Sequence, residues 1–270
     1  LITGGSVRLG REIGLAFARA GWNVACHYNR SDAEAHALCV ELRTLGVDAL
    51  TVQGDLEDEA SCQSIFDTTV AITGTALQCV VNNASLFVPD EGADFDEAQA
   101  LAQIKVNLMA PMRFGKWMAQ LHARALQASP NDTPASASSA ARHAKPSVIH
   151  VLDQKVFNLN PDYFSYTLSK LALERAVSLQ AQSLAPAVRV NAVAPGLMYL
   201  SGPQTQDNFN RAAQANLLRQ PINPADVASS VVFLANNASI TGTTVRVDNG
   251  QHLVPLARDV MFVVEELFKS

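Results

Sequence analysis

The stretch Asp153–Lys170, DQKVFNLNPDYFSYTLSK, decides how this chain is read. It closes on Y-T-L-S-K, which sets Tyr166 and Lys170 at positions i and i+4. The residues that follow, LALERAVSLQAQSL, carry apolar side chains at Leu171, Leu173, Val177 and Leu184, a helical spacing. Such positions stack on one face of a helix, so a phenol and an ammonium are expected side by side. A neighbouring positive charge favours phenolate and is expected to lower the Tyr166 pKa towards working pH, as a general acid near neutrality requires. Upstream, VIHVLD reads as a buried strand ending in Asp153. The strand end and the helix start bring a carboxylate, a phenol and an amine to one place. Y-x-x-x-K is a frequent accident when it stands alone, so its weight comes from what surrounds it.

Composition narrows the class. A length of 270 residues allows one α/β domain or two small ones with a sizeable core. Hydrophobic residues make up 48% and aromatics only 6%, which fits an enzyme-like globule rich in Ala, Val and Leu. A net charge of −5 gives no reason to expect nucleic acid or an anionic membrane as partner. No run of about 20 apolar residues is present, so no membrane span is implied. Cys26, Cys39, Cys62 and Cys79 have no metal-like spacing and read as reduced thiols of a cytoplasmic protein; no metal site is expected. The opening LITGG reads as the end of a strand already in progress, with a few residues expected before it.

Outward from the central stretch, strands alternate with helices. After Leu1-Ile2 comes TGGSVRLGREIGLAFARAG, with helical periodicity at Leu9, Ile13, Ala16, Phe17 and Ala20 and a stop at Gly21. A Gly-rich turn (Gly4, Gly5, Gly10) between a strand and a helix N-terminus suits a pyrophosphate. WNVACHYNRSD is the next strand and its exit. It carries no acid for a ribose hydroxyl before Asp32. Asn29, Arg30 and Ser31 stand there instead, and a guanidinium with a hydroxyl suits a 2′-phosphate, so NADP(H) is expected over NAD(H). A helix over Asp32–Leu45 leads to the strand DALTVQGDL, whose Asp55-Leu56 would border an adenine. A helix over Ala60–Thr73 precedes the strand LQCVVNNAS, whose Asn83, Ala84 and Ser85 suit the lining of a cofactor crevice. Phe87 either stacks on a flat ring or packs as an ordinary loop residue.

A long helix is expected over 96–126, kinked or broken at Pro111. Its Asn107 is either a core hydrogen-bonding residue or part of a proton path. Residues 127–147 are rich in Ser, Ala and Pro and read as a mobile surface loop. SVIHVLD and VRVNAVAPGL are further strands, the second ending in Pro195-Gly196. Residues 198–221 read as a lid over a pocket, in which Met198 and Tyr199 would govern substrate choice. NPADVASSVVFLAN is a helix begun by Asn223 or Asp226, and TGTTVRVDNG is a last strand and turn. The apolar tail, 251–270, docks either on a neighbouring subunit or on its own domain. The whole describes an α/β fold: one domain over 1–270, a single doubly wound parallel sheet with helices on both faces.

Together these pieces resemble the short-chain dehydrogenase/reductase family over essentially the whole chain. The matching motifs are Thr3-Gly4, Asp55-Leu56, Asn82-Asn83-Ala84, Asn107, Tyr166 with Lys170, and Pro195-Gly196, in correct order and spacing. The resemblance implies a Rossmann-like NADPH-binding oxidoreductase in which Tyr166 is the acid, Lys170 holds the nicotinamide ribose and Asn107 helps carry protons. It also implies a homotetramer.

Two departures from the family pattern carry further information. Arg8 takes the place of the middle glycine of T-G-x-x-x-G-x-G, and Asp153 takes the place of the serine thirteen positions before the tyrosine. A serine there polarises a carbonyl, whereas a carboxylate repels a developing alkoxide. Asp153 therefore suits a hydrogen-bond-donating substrate or protonation of a ring nitrogen. With His27-Tyr28-Asn29-Arg30-Ser31 and Ser85-x-Phe87, these departures resemble the pteridine reductase branch. That resemblance implies a pterin between Phe87 and the nicotinamide, touched by Arg8, Ser85, Leu197 and Met198, with Leu9, His27 and Tyr28 on the cofactor side. Asp153 and Tyr166 would pass a proton while NADPH delivers hydride to a C=N bond. Reduction of another small carbonyl or enoyl substrate is the alternative, and a non-catalytic NADP-binding protein a second.

Overall fold

A computed structural model describes residues 1–74, 77–128, 145–200 and 204–267. The hydrophobic runs form parallel strands: β1 Val24–Tyr28, β2 Ala49–Gln53, β3 Cys79–Asn82, β4 Ser147–Val151, β5 Arg189–Pro195 and β6 Thr244–Val247. β1 pairs with β2, and β3, β4, β5 and β6 pair in that order, all parallel. Ile2 joins the two halves, bridging Cys26 on one side and Val81 on the other. The chain thus leaves the middle of the sheet, winds one way through β1 and β2, and returns to wind the other way. The crevice beyond the C-terminal ends of the strands at such a switch point is where doubly wound folds bind ligands.

Strand side chains alternate between two faces, and each face has its own core. Cys26, Val81, Ile149 and Val193 pack with α1 (Arg8–Arg19), α2 (Asp32–Thr44) and α8 (Pro224–Asn236) through Ile13, Leu38 and Val231. Val52, Val80, Val148 and Val190 pack with α3 (Glu59–Thr73) and α5 (Ala110–Ala128) through Ile65 and Phe114. α8 begins at Asn223, not Asp226. The Asn223 side chain accepts from the Ala225 N–H, and Pro224 fills the first helical position, where its missing N–H costs nothing.

The helix expected over 96–126 runs without a gap but changes register ahead of Pro111. α4 (Glu97–Ile104) and α5 meet through a π-turn at Lys105–Met109. Pro111 supplies the cause: it has no N–H for the Asn107 carbonyl and its ring crowds that carbonyl, so an α register cannot run through 107–111. Asn107 sits in this turn, wholly buried. The loop expected at 127–147 is shorter at both ends, because α5 runs to Ala128 and β4 starts at Ser147; residues 129–144 lie outside the described residues. In the expected lid, α7 (Gln206–Ala212) is capped by Thr205, while residues 201–203 lie outside the described ones. The tail docks on its own chain. α6 (Phe164–Leu184) carries Tyr166, and α9 (Val260–Leu267) buries Met261 against Tyr163 and Tyr166 and Val264 against Ala212. Among the described residues no helix is long and apolar enough to cross a membrane.

Phe114 is fully buried, with ring centroids 5.6 Å from Trp117 and 6.4 Å from Phe66. Phe114→Ala should cost about 3–5 kcal/mol, read as a lower denaturation midpoint at unchanged m-value.

Candidate active site

A crevice of about 450 Å³ opens at the C-terminal edge of the sheet. One wall is the turn Gly4–Gly10. The floor is Asn83–Ser85 after β3 and Leu152-Asp153 after β4, and the far wall is Pro195–Tyr199 after β5. A second cavity of about 490 Å³ lies at the opposite edge, among Leu1, Phe17, Trp22, Leu77 and Cys79. It has no phenol or lysine in its lining, so the chemistry belongs to the C-terminal crevice.

The Gly-rich turn is built from within. Thr3 accepts the N–H groups of Asn83 and Ala84 at its hydroxyl, and the Asn83 amide donates to the carbonyls of Thr3 and Gly4, each at 3.0–3.1 Å. A Cβ on Gly10 would lie 2.0 Å from the Gly4 carbonyl oxygen, so only glycine fits there. Arg8 has φ +50°, in the backbone region glycine favours. No side chain caps the N-terminus of α1, and its first turn holds no acid. The free N–H groups and the Arg8 cation therefore fit a pyrophosphate. Beyond β1, Asn29 and Arg30 are exposed, and Ser31 is the N-cap of α2 with its hydroxyl unused in capping.

Several residues expected at the cofactor stand outside the crevice lining. His27 is buried: its Nδ1 accepts from the Gly4 N–H at 3.1 Å and its Nε2 faces the Gly54 carbonyl at 3.1 Å. Both bonds are met by one neutral tautomer, and burial pushes its pKa down to about 4. Tyr28 is buried and its hydroxyl is held by Asp32, while Leu56 is buried beside an exposed Asp55. None of these four lines the crevice; Leu9 does.

At the other end, Tyr166 and Lys170 share the buried face of α6 as the spacing required. The relation between them is not the expected one. Lys170 Nζ donates to the Val151 carbonyl at 2.8 Å and lies 5.7 Å from the Tyr166 ring centre. The Tyr166 hydroxyl instead donates to Asp153 Oδ2 at 2.9 Å. Burial, and then the facing carboxylate, push the phenol well above its ordinary pKa, so the expected lowering by Lys170 is overturned. Burial also raises Asp153, against the Lys155 N–H and the Tyr166 hydroxyl that favour its charged form, and lowers Lys170 to about 8.

The Asn107 side chain straps two elements together. Its Oδ1 accepts from the Leu86 N–H at 2.8 Å and the Ser85 hydroxyl at 3.1 Å, while its Nδ2 donates to the Leu86 carbonyl and to Ser169 Oγ. Ser169 in turn donates to the Tyr166 carbonyl at 2.6 Å, so the strap links the loop after β3 to the helix that carries the phenol. Phe87 stacks on Tyr163 at 4.0 Å between centroids and meets Tyr166 edge-on at 4.6 Å. Arg8 reaches over the Tyr199 ring and donates to the Leu200 carbonyl, tying the turn to the far wall. The sequence did not single out Lys155, Tyr163 or Asp259. Lys155 and Asp259 line the crevice, 104 positions apart, and no local pattern links them.

The comparisons with known proteins agree with this geometry. A family profile described as enoyl-(acyl carrier protein) reductase matches residues 7–252. A crystal structure of FolM alternative dihydrofolate reductase 1 from Brucella suis in complex with NADP is similar at a TM-score of 0.81 and 34% identity, over 93% of this chain and 94% of that one. The Brucella canis counterpart, complexed with NADP, gives 0.79 and 33% over 93% of each chain. Pteridine reductase 1 of Leishmania tarentolae is 29% identical over 94% of this chain and 96% of its own length. A granaticin polyketide synthase putative ketoacyl reductase 2 of Streptomyces violaceoruber is 30% identical over the same shares.

Two imidazoles, His27 and His150, are each held at about 4 by burial. The unfolded chain binds a proton at each below about pH 6.5 while the folded chain does not, so stability falls as pH drops from about 6.5 to about 4, on the order of 3 kcal/mol per histidine. His27→Gln keeps an acceptor and a donor in place and should remove roughly half of that histidine-linked loss. Denaturant titrations at pH 7 and pH 5 check this; an unchanged difference between the two pH values would show that His27 is not the titrating group.

Proposed function

The chain belongs to the short-chain dehydrogenase/reductase family, and we propose that within it the protein is an NADPH-dependent reductase of a pterin or dihydropterin. The observation that carries this reading is the Asp153–Tyr166 hydrogen bond inside the crevice. A carboxyl there is a poor electrostatic partner for an alkoxide and a good one for a nitrogen heterocycle with N–H donors. The neighbours whose names and complexes include NADP, dihydrofolate reductase and pteridine reductase support the same choice.

The turn Gly4–Gly10, with Arg8 and the free first turn of α1, holds the pyrophosphate of NADPH, and Arg30 with Ser31 holds the 2′-phosphate. Ala84, Ser85, Pro195 and Gly196 border the nicotinamide half, and Lys170 holds its ribose. When bound, NADPH supplies hydride to the carbon of a C=N bond. Tyr166 gives the ring nitrogen its proton, and Asp153, which accepts the hydroxyl hydrogen bond, re-supplies it from solvent. Burial keeps the phenol protonated, so it is a donor at neutral pH. Phe87, stiffened by Tyr163, gives the flat ring an aromatic face, and Leu197 and Met198 line the same crevice. Asn107 acts as a positioning residue through Leu86 and Ser169. The whole chain serves as one cofactor-binding domain. Its four free, buried cysteines suit the reducing cytoplasm, and a homotetramer is what the family resemblance implies.

The competing reading is a carbonyl or enoyl reductase, favoured by the ketoacyl reductase relative and the family description. NADPH oxidation with dihydrobiopterin or dihydrofolate, set against a panel of ketones, separates the two: turnover of a ketone and of no pterin would reject the pterin reading. Tyr166→Phe should lower kcat by about a hundredfold or more and leave NADPH binding within a few-fold. Retained turnover would mean that the acid is another group. Arg30→Asp should raise the KM for NADPH far more than that for NADH, and an equal rise would undo the 2′-phosphate assignment.

A further inference from the structure

Two carboxyl groups line the crevice, Asp153 and Asp259, and the fold treats them differently. Asp153 is held by a backbone N–H and a phenol, while Lys170 donates to the Val151 carbonyl. Asp259 is held by a cation. Its Oδ2 pairs with Lys155 Nζ at 3.1 Å, and that lysine, 2% exposed, has Asn160 Oδ1 as its other acceptor. A buried ammonium is tolerated only when paired, so Lys155 and Asp259 need each other. The Asp259 backbone is pinned as well: its N–H donates to Asp162, which also grips Arg258, and its Oδ1 caps the start of α9 at Met261.

We propose that the Lys155–Asp259 pair is a positioning device for the exchangeable proton of the crevice: it ties the Asp259 carboxyl into an ion pair and leaves the proton to the Asp153–Tyr166 pair. The inference deepens the pterin reductase reading and rests on its proton route. Two like groups in one site take different roles when their surroundings push their protonation apart. The charged and titratable groups around the Asp153–Tyr166 pair are Lys155 on its own loop, Lys170 on α6, Asp259 before α9, Arg8 on the Gly-rich turn, Tyr199 on the far wall and Tyr163 at the start of α6. Asp162 lies behind them and is neutralised by Arg258. Lys155 and Asp259 act on the pair with opposite sign: the ammonium favours the Asp153 carboxylate, while the Asp259 charge opposes it and holds the Tyr166 proton.

The test is a pH titration of the Asp153 carboxyl by 13C NMR in the protein alone, labelled at aspartate and assigned with Asp153→Asn. Asp259→Asn should lower the Asp153 midpoint and Lys155→Met should raise it, each by roughly half a unit or more. Lys155→Arg, which keeps the charge, should leave it near the wild-type value. The acid-side limb of kcat for NADPH with dihydrobiopterin should move in the same directions. A purely structural pair predicts losses of stability without opposite midpoint shifts, so shifts of the same sign, or none, overturn the inference. If Lys155→Met does not fold, Asp259→Asn still decides, because an unchanged midpoint refutes the proposal. Absence of pterin turnover in the wild type would sink the substrate reading, yet the NMR midpoints would still report on the charge pair.

Discussion

A carboxyl and a phenol sharing one hydrogen bond out of water is the constraint around which the site is arranged. In bulk solvent neither group would be notable. In the crevice, desolvation makes ionisation of both unfavourable, and the charge on either raises the cost for the other. The result is a proton reservoir in place of the phenolate–ammonium couple that Y-x-x-x-K spacing suggests. Lys170 is left to hold Val151 and to present a cation whose own proton is loosened to about 8. One residue, Asp153 in the place of a hydroxyl, reverses the electrostatics of the motif without moving the motif.

The rest of the fold keeps that pair in place. The π-turn at Lys105–Met109 turns the Asn107 amide so that it meets the Leu86 N–H, the Leu86 carbonyl and the Ser169 hydroxyl at once. Pro111 makes the turn necessary, since an α-helical continuation would drive its ring into the Asn107 carbonyl. A residue four positions away from the amide in sequence, itself outside the crevice lining, thus helps fix the loop after β3 against the helix that bears the acid. At the opposite wall His27 does the same for the Gly4 peptide, and it can do so only while neutral.

Much of this was legible in the sequence. The alternation of strands and helices, the Gly-rich turn, the shared face of Tyr166 and Lys170 and the edge position of Asp153 all follow from local spacing, and local spacing is what a sequence displays. The failures share a different cause. His27 and Tyr28 stand on a strand whose alternation does not say which face meets the ligand. The direction of the Tyr166 shift depends on desolvation, a property of the assembled crevice. Lys155 acquires its partners only when Asn160 and Asp259 are brought to it, and the second of these arrives from the far end of the chain.

The C-terminal segment therefore has more than a covering role. Asn208 of α7 donates to the Met261 carbonyl, the Tyr163 hydroxyl faces the Met261 sulfur, and Tyr163 stacks on Phe87. This sequence of contacts runs from α7, through the tail, to the aromatic face on which a flat ring would rest. Tyr163 is held at φ +56°, where a bulky residue stays only if its surroundings fix it, and the tail supplies part of those surroundings. The same segment delivers Asp259 to Lys155. Shape at the aromatic face and charge beside the proton-bearing pair are thereby set by one stretch of chain, so a change in how that stretch docks alters ring stacking and proton affinity together.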